Sequence, residues 1–594
     1  MPPNDPAAPL TLTGGEALVR LLQAESVAGV FGVVGGKLAP LLHAMARAGL
    51  PYIGTRHEAA APMMAAAAFA STGRVAVALG EMGPGALNLA SGAGVAFNNH
   101  LAALFITTNQ HRAASYPHQG MFMDLDARAV FAPVTKWNAT VNDPRRLPEL
   151  VRTAFREALG ARPGPVHLDI PQDVLAARAT WPADEFDIAP ARYRSSHPPR
   201  PAADAVHAAA VLLGSARRPL IVAGGGVVHA GADAQVRELA ARLGAPVVPT
   251  QMALGVVPTD HPAFIGHGGL IAGEAVKQAF ECADVIVAVG CRFSSWMWDE
   301  RGPLARREHA LVNINIDPSA LGAPALHVLA MQADARLALE DLLAALPNES
   351  QEAAGTEAGW LASLRAVRAR YEGNLAEMIG RPAATMHPAA LAHAVGQAMP
   401  ADALAVYDGG HTSFWSNDLT PVHTVRTRFH DPGMSQLGFG LPYALALQWL
   451  HPGRMVLNLT GDGAFGFTLQ ELDTARRMKL PVINVIHNNA SWGVIRMGQR
   501  MALDFEFGTS LEGTDYAAIA RGFGCHGEVV SEAREIAPAL ERARASGLPA
   551  VLDCRTEFLP HPAAPAFGSM NRYGFDALTR SVAAPAAGPP GRSD

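Results

Sequence analysis

Two oxygen-bearing side chains in the stretch from Met455 to Trp492 carry the most specific chemistry in the chain. Asp462 stands between Gly461 and Gly463 after the β-rich run 455–460, and Asn489 follows Asn488 just after the run 481–486. Between them, residues 468–478 have helical spacing, with Leu469, Leu472, Ala475 and Met478 on one face. The segments predict one βαβ unit, and a parallel sheet puts the carboxyl ends of both strands on one edge. Asp462 and Asn489 then stand side by side, next to a glycine turn and a helix N-terminus. Hard oxygen ligands in such a place suit a Mg²⁺ that itself holds phosphate oxygens. An ordinary βαβ unit explains Gly-Asp-Gly alone; the spaced Asn-Asn after a strand favours a diphosphate–Mg²⁺ site.

The elements that must position these residues are spread over 594 residues, 49% hydrophobic and 17% charged, which predicts soluble globular material. At roughly 100–200 residues per domain, three domains are expected. A net charge of −6 gives no argument for nucleic acid or for an anionic membrane surface. Cys282, Cys291, Cys525 and Cys554 form no CxxC pair, so neither a zinc site nor a disulfide framework is indicated. No run of about 20 apolar residues occurs, and MPPNDPAAPL does not read as a signal peptide, so a cytoplasmic location is expected.

From residue 13 the text alternates helix and strand: helices over 14–25, 38–47, 59–71 and 86–98, strands over 29–34, 52–55, 75–79 and 103–107. This predicts an α/β parallel sheet. The expected domains are 10–180, 203–346 and 387–570. Residues 177–201 and 347–356 read as linkers, and 579–594 as a disordered tail. Gly224-Gly225-Gly226 follows a predicted strand at 219–223 but matches no full GxGxxG, so FAD or another nucleotide in the central domain stays open.

Gly-Asp-Gly with Asn-Asn one crossover later resembles the thiamine diphosphate signature. Three sheets with the metal site in the third resemble the decarboxylase-type thiamine enzymes. The resemblance implies three doubly wound parallel-sheet domains: pyrimidine-binding, central and diphosphate-binding. It implies thiamine diphosphate and Mg²⁺ as cofactors, with Asp462, the Asn489 side chain and the Ser491 carbonyl as metal ligands, and Gly461, Gly463 and Ala464 around the diphosphate. Asp408-Gly409-Gly410-His411-Thr412 looks like the family's loop at the diphosphate, giving Gly410, His411 and Thr412. Leu437 falls at the bulky apolar position that props the cofactor in its bent conformation; plain core is the alternative.

Thiamine chemistry also needs a carboxyl group against the pyrimidine ring, so that the cofactor's amino group can take the C2 proton. Glu58, in Arg56-His57-Glu58 after the predicted strand 52–55, stands where the family has that glutamate; a helix-start carboxylate is the bland alternative. Gly80-Glu81-Met82-Gly83-Pro84-Gly85-Ala86-Leu87-Asn88 looks like the turn beside the pyrimidine, which assigns Gly83, Pro84 and Asn88.

The resemblance spans roughly 12–560 and is closest to acetolactate synthases and benzaldehyde lyase. Trp296 stands where acetolactate synthases have the arginine for a second 2-oxoacid's carboxylate, Gly498 where they have a pocket tryptophan, and Met123 where they have a glutamine. Gln119 lies about a turn upstream of Met123. Losing a fork-shaped cation removes the natural partner of a carboxylate. Lys37, in Gly35-Gly36-Lys37, is no P-loop lysine and sits near a working histidine of benzaldehyde lyase; it is either solvated or retained for use.

Three functions follow as expectations. The first is an enzyme making or cleaving a carbon–carbon bond next to a carbonyl in a 2-oxoacid, aldehyde or hydroxyketone. The second is an acetolactate synthase catalytic subunit; the third is a non-catalytic thiamine-binding homologue. The presence of Glu58, Asp462 and Asn489 argues against the third. The family resemblance implies a homodimer or homotetramer, with no nucleic acid or membrane partner.

Overall fold

The computed structural model describes residues 8–115, 120–269, 271–294, 296–297, 309–321, 327–347, 359–382 and 385–562. They form three parallel sheets with helices around them. The first sheet has six strands in the order Tyr52–Gly54, Val30–Gly32, Val77–Gly80, Leu104–Asn109, Val166–Pro171 and Trp137–Thr140. The second has five: Val247–Pro249, Pro219–Ala223, Val285–Val289, Ala310–Asn315 and His327–Gln332. The third again has six, in the order Arg428–His430, Leu404–Asp408, Val456–Gly461, Ile483–Asn488, Ala550–Arg555 and His526–Val530.

The first and third sheets share one hydrophobic core. Two helices, Ala60–Thr72 and Gly440–Leu450, are apolar on nearly every side and buried. A helix without a polar face has to be covered all round, and each lies in that common core. Trp449 meets Phe31 of the first sheet edge-on, with ring centroids 5.5 Å apart. The approach is close enough that a Cβ at Gly29 would lie 2.2 Å from the Trp449 ring.

Three expectations about local structure are corrected. Residues 177–201 are not a plain linker: Arg178–Trp181 pairs antiparallel with Leu10–Thr13, and Trp181 is buried against Phe186. Four residues are too few to show a period. The strand expected at 29–34 is Val30–Gly32, because the chain leaves the sheet and Val34 is 65% exposed. The helix expected over 468–478 is Glu471–Arg477, preceded by a short helix Asp462–Phe465. Thr468 is drawn away, its hydroxyl donating to the Gly438 carbonyl at 2.7 Å. A helix Trp360–Ile379 precedes the third sheet. The expected second linker falls almost wholly, and the expected tail entirely, outside the described residues, as does Gln119.

Candidate cofactor site

The strand Val456–Gly461 ends at the Gly461-Asp462-Gly463 turn, and its neighbour Ile483–Asn488 runs parallel to it with Gly461 opposite His487. The register brings the two strand ends together as expected. Asp462 is 3% exposed, and its carboxylate accepts from the Gly463 N–H at 2.9 Å and the Ser491 N–H at 3.2 Å. Ser491 in turn donates its hydroxyl to the Asn489 side-chain oxygen at 2.9 Å. No lysine or arginine pairs with Asp462 among the described residues, and burial pushes its carboxyl up to about 6. One buried carboxylate beside neutral oxygens, without a basic partner, is a donor set that fits a hard divalent cation.

These residues line a cavity of about 280 Å³ at the carboxyl edge of the third sheet. Gly410, His411, Thr412, Leu437, Gly461, Gly463, Ala464, Asn489 and Ser491 all line it with Asp462. The ten-residue helix Gly410–Leu419 starts at this wall, so its unpaired N–H groups favour an anion there. The glycines are needed for close approach: a Cβ at Gly410 would lie 2.2 Å from Val494, and one at Gly463 would lie 2.5 Å from Trp492. Asp408, pushed up to about 7 by burial, accepts from the N–H groups of Gly438 and Gly440 at 3.1 and 2.9 Å. Those two bonds fix the loop that carries Leu437.

Three histidines of the cavity wall were not singled out as a group by sequence. His411 Nε2, His430 Nδ1 and His487 Nε2 are buried and have no hydrogen-bond partner among the described residues. Burial holds all three neutral, at about 4, 4 and 3. Buried polar atoms left unpaired cost about 1–3 kcal/mol each, so several in one cavity point to a ligand that meets them. A histidine directly before Asn-Asn was the available signal for His487. His430 ends a strand too short to have given one.

The other expected residues lie on the first sheet and do not line this cavity. Asn88 donates to the Glu58 carboxylate at 3.0 Å, and a Cβ at Gly85 would lie 3.3 Å from the other Glu58 oxygen. Gly83 has φ +62°, and a Cβ on it would meet Met123 at 2.9 Å, so glycine is required where Pro84 begins its helix. Met123 therefore packs on the turn, itself left-handed at φ +62°. The Lys37 backbone N–H donates to Glu81 at 2.9 Å, which anchors the Gly35–Lys37 turn. Sequence reasoning also missed Glu471. It is fully buried, and its carboxylate accepts from the backbone N–H groups of Arg56 and His57 at 3.1 and 3.0 Å. The third sheet's own helix thus holds the strand end that presents Glu58; the Glu-Leu-Asp-Thr run was its only signal.

A second cavity, of about 370 Å³, lies between the first, central and third units. Gly224, Gly225 and Gly226 line it with Arg162, Arg292 and Arg426, and Trp296 lines both cavities. A Cβ at Gly224 would lie 2.2 Å from the Gly290 carbonyl, so the triple glycine serves backbone packing.

The sequence matches three family models: the thiamine pyrophosphate enzyme N-terminal TPP binding domain over 12–130, the central domain over 206–342 and the C-terminal TPP binding domain over 408–554. A probable 2-ketoarginine decarboxylase of Pseudomonas aeruginosa is 34% identical over 87% of this chain and 89% of its own. The acetolactate synthase large subunit of Corynebacterium glutamicum is 29% identical over 92% and 87%. A probable acetolactate synthase large subunit of Methanocaldococcus jannaschii is 29% identical over 91% of each chain.

Proposed function

The chain belongs to the thiamine pyrophosphate enzymes, the acetolactate synthase-like kind that make or cleave carbon–carbon bonds, and from that premise we propose how it works. Asp462, the Asn489 side chain and the Ser491 carbonyl would hold Mg²⁺. The Gly410–Thr412 helix start and the Gly461–Ala464 turn would hold the cofactor's diphosphate. The observation that carries this is the buried Asp462 carboxylate, without a basic partner among the described residues, in a cavity it shares with Asn489, Ser491 and the helix start. When bound, thiamine diphosphate supplies a carbanion equivalent that adds to a carbonyl carbon.

Glu58, its carboxylate held by Asn88, would bond the pyrimidine ring and assist the proton movement by which the cofactor is activated. Glu58 does not line its own chain's Asp462 cavity. A second copy therefore supplies it, and the working unit is a homodimer or a homotetramer of two such pairs. Exposed Leu87 and Phe122 beside the Glu58 turn, and Phe467 and Ile495 beside the Asp462 cavity, are the apolar surface such a pairing covers. Lys37, at the same turn cluster as Glu58, is the cation for the donor's carboxylate.

The substrate reading is a 2-oxoacid donor and an uncharged aldehyde acceptor, benzaldehyde lyase-like, in the cytoplasm. No lysine or arginine is among the described residues lining the Asp462 cavity, and Trp296 lies in its wall. A carboxylate there would be desolvated without a partner. At Gly498 a Cβ would meet nothing within 4 Å, and Gly498 does not line the cavity. Product analysis with thiamine diphosphate and Mg²⁺ tests this, using pyruvate and 2-ketoarginine as donors and benzaldehyde as acceptor. Acetolactate as the best product from pyruvate alone would overturn the preference. A nucleotide is the reading for the second cavity, because three arginines and a glycine turn meet at the central sheet's edge. Heat-denatured protein that releases no flavin or adenine nucleotide would remove it.

A further inference from the structure

We propose that His430 contacts the substrate, its imidazole donating a hydrogen bond to the carbonyl oxygen of the uncharged acceptor; this rests on the cofactor reading above. His430 closes the edge strand Arg428–His430, at the same carboxyl edge as the Gly461–Gly463 turn. It lines the cavity, and its buried Nδ1 has no hydrogen-bond partner among the described residues. It lies against Trp296, with centroids 6.0 Å apart and rings 68° from parallel, rather than against the residues assigned to the metal. Trp296, Phe414 and Ile271 form one apolar cluster with Val494 packed on it. His430 thus sets a polar ring beside an apolar cluster, where a small uncharged molecule with one oxygen can be read.

The position is held rigidly. Next to it, Asp431 accepts from the N–H groups of Met434 and Gln436 at 3.0 and 2.9 Å, and from Asn99. Burial keeps the ring neutral, at about 4, so at neutral pH it offers one N–H donor and one acceptor. A neutral donor suits an aldehyde oxygen and needs no proton transfer to bind it. A carboxylate would instead call for a cation, and this wall has none among the described residues.

The test uses the full-length enzyme with thiamine diphosphate, Mg²⁺, pyruvate as donor and benzaldehyde as acceptor. His430→Phe keeps a ring against Trp296 and removes the nitrogens; His430→Gln keeps a donor. His430→Phe should raise the KM for benzaldehyde about 3- to 10-fold, the worth of one neutral hydrogen bond. Its KM for pyruvate and its cofactor C2–H exchange should change less than its KM for benzaldehyde. His430→Gln should recover most of the loss. An unchanged benzaldehyde KM in His430→Phe, or exchange lost in that variant alone, would overturn the proposal. So would a parent that exchanges C2–H but shows no saturable use of benzaldehyde. A parent with no C2–H exchange would instead overturn the cofactor reading on which the proposal rests.

Discussion

The first and third sheets have the same topology and opposite surfaces. In each, the first strand in sequence lies second in the sheet, the second lies at the edge, and the last two are exchanged. The active turns correspond. Gly35-Gly36-Lys37 and Gly409-Gly410-His411 follow the first strand; Gly83-Pro84 and Gly461-Asp462-Gly463 follow the third. The second strands lead to Glu58 in one sheet and end at His430 in the other. Yet the third sheet encloses a cavity, while the first presents Glu58 on a partly exposed turn. The same edge serves as a container in one unit and as a lid in the other, and the proposed second copy brings them together.

The strongest way to break this comparison is at the container. Asp462→Ala should abolish retention of thiamine diphosphate, because the site loses its one carboxylate ligand to Mg²⁺. Isothermal titration with both ligands measures it. Affinity equal to the parent would show that the metal assignment is wrong, and that the two edges differ less than proposed.

Next comes the lid. Glu58→Gln should bind the cofactor nearly normally and lose about 10²–10⁴-fold in rate, the usual worth of positioned acid–base assistance. The loss should appear in every reaction, since cofactor activation precedes any choice of substrate. C2–H exchange in deuterated buffer reads that step alone. Unchanged exchange would reduce Glu58 to a helix-start carboxylate.

The container was more legible in the sequence than the lid's support. Asp462 and Asn489 belong to one βαβ unit, so local spacing and parallel pairing were enough to bring them together. His411 and Leu437 followed through resemblance, and both line the cavity. His430 could not be read that way: its strand has three residues, and its neighbour Trp296 comes from the central unit. Glu471 was hidden for a similar reason. A glutamate at a helix start reads as a solvated residue until the chain folds the first sheet onto it. Arg178–Trp181 lacked a signal because its partner lies near the start of the described chain.

The smallest expected effect sharpens the tie between the two sheets. Glu471 accepts the N–H groups of Arg56 and His57 and the Thr474 hydroxyl, the last at 2.7 Å. Glu471→Ala leaves those donors buried and unmet, which should cost about 1–3 kcal/mol of stability. Glu471→Gln keeps an acceptor and should cost less. The sign of its pH dependence separates charge from hydrogen bonding. Burial raises the Glu471 carboxyl above its ordinary 4.5, so the folded chain holds that proton more tightly than the unfolded one. The stability this lends is fully present below 4.5 and is lost as pH climbs through the raised value. Glutamine has no such proton to lose. Denaturant midpoints should therefore move in favour of Glu471→Gln, relative to the parent, between acid and neutral pH. A gap that stays constant across that window would mean that Glu471 is as well stabilised when charged as in the unfolded chain, and that it clamps the Glu58 turn at no electrostatic cost.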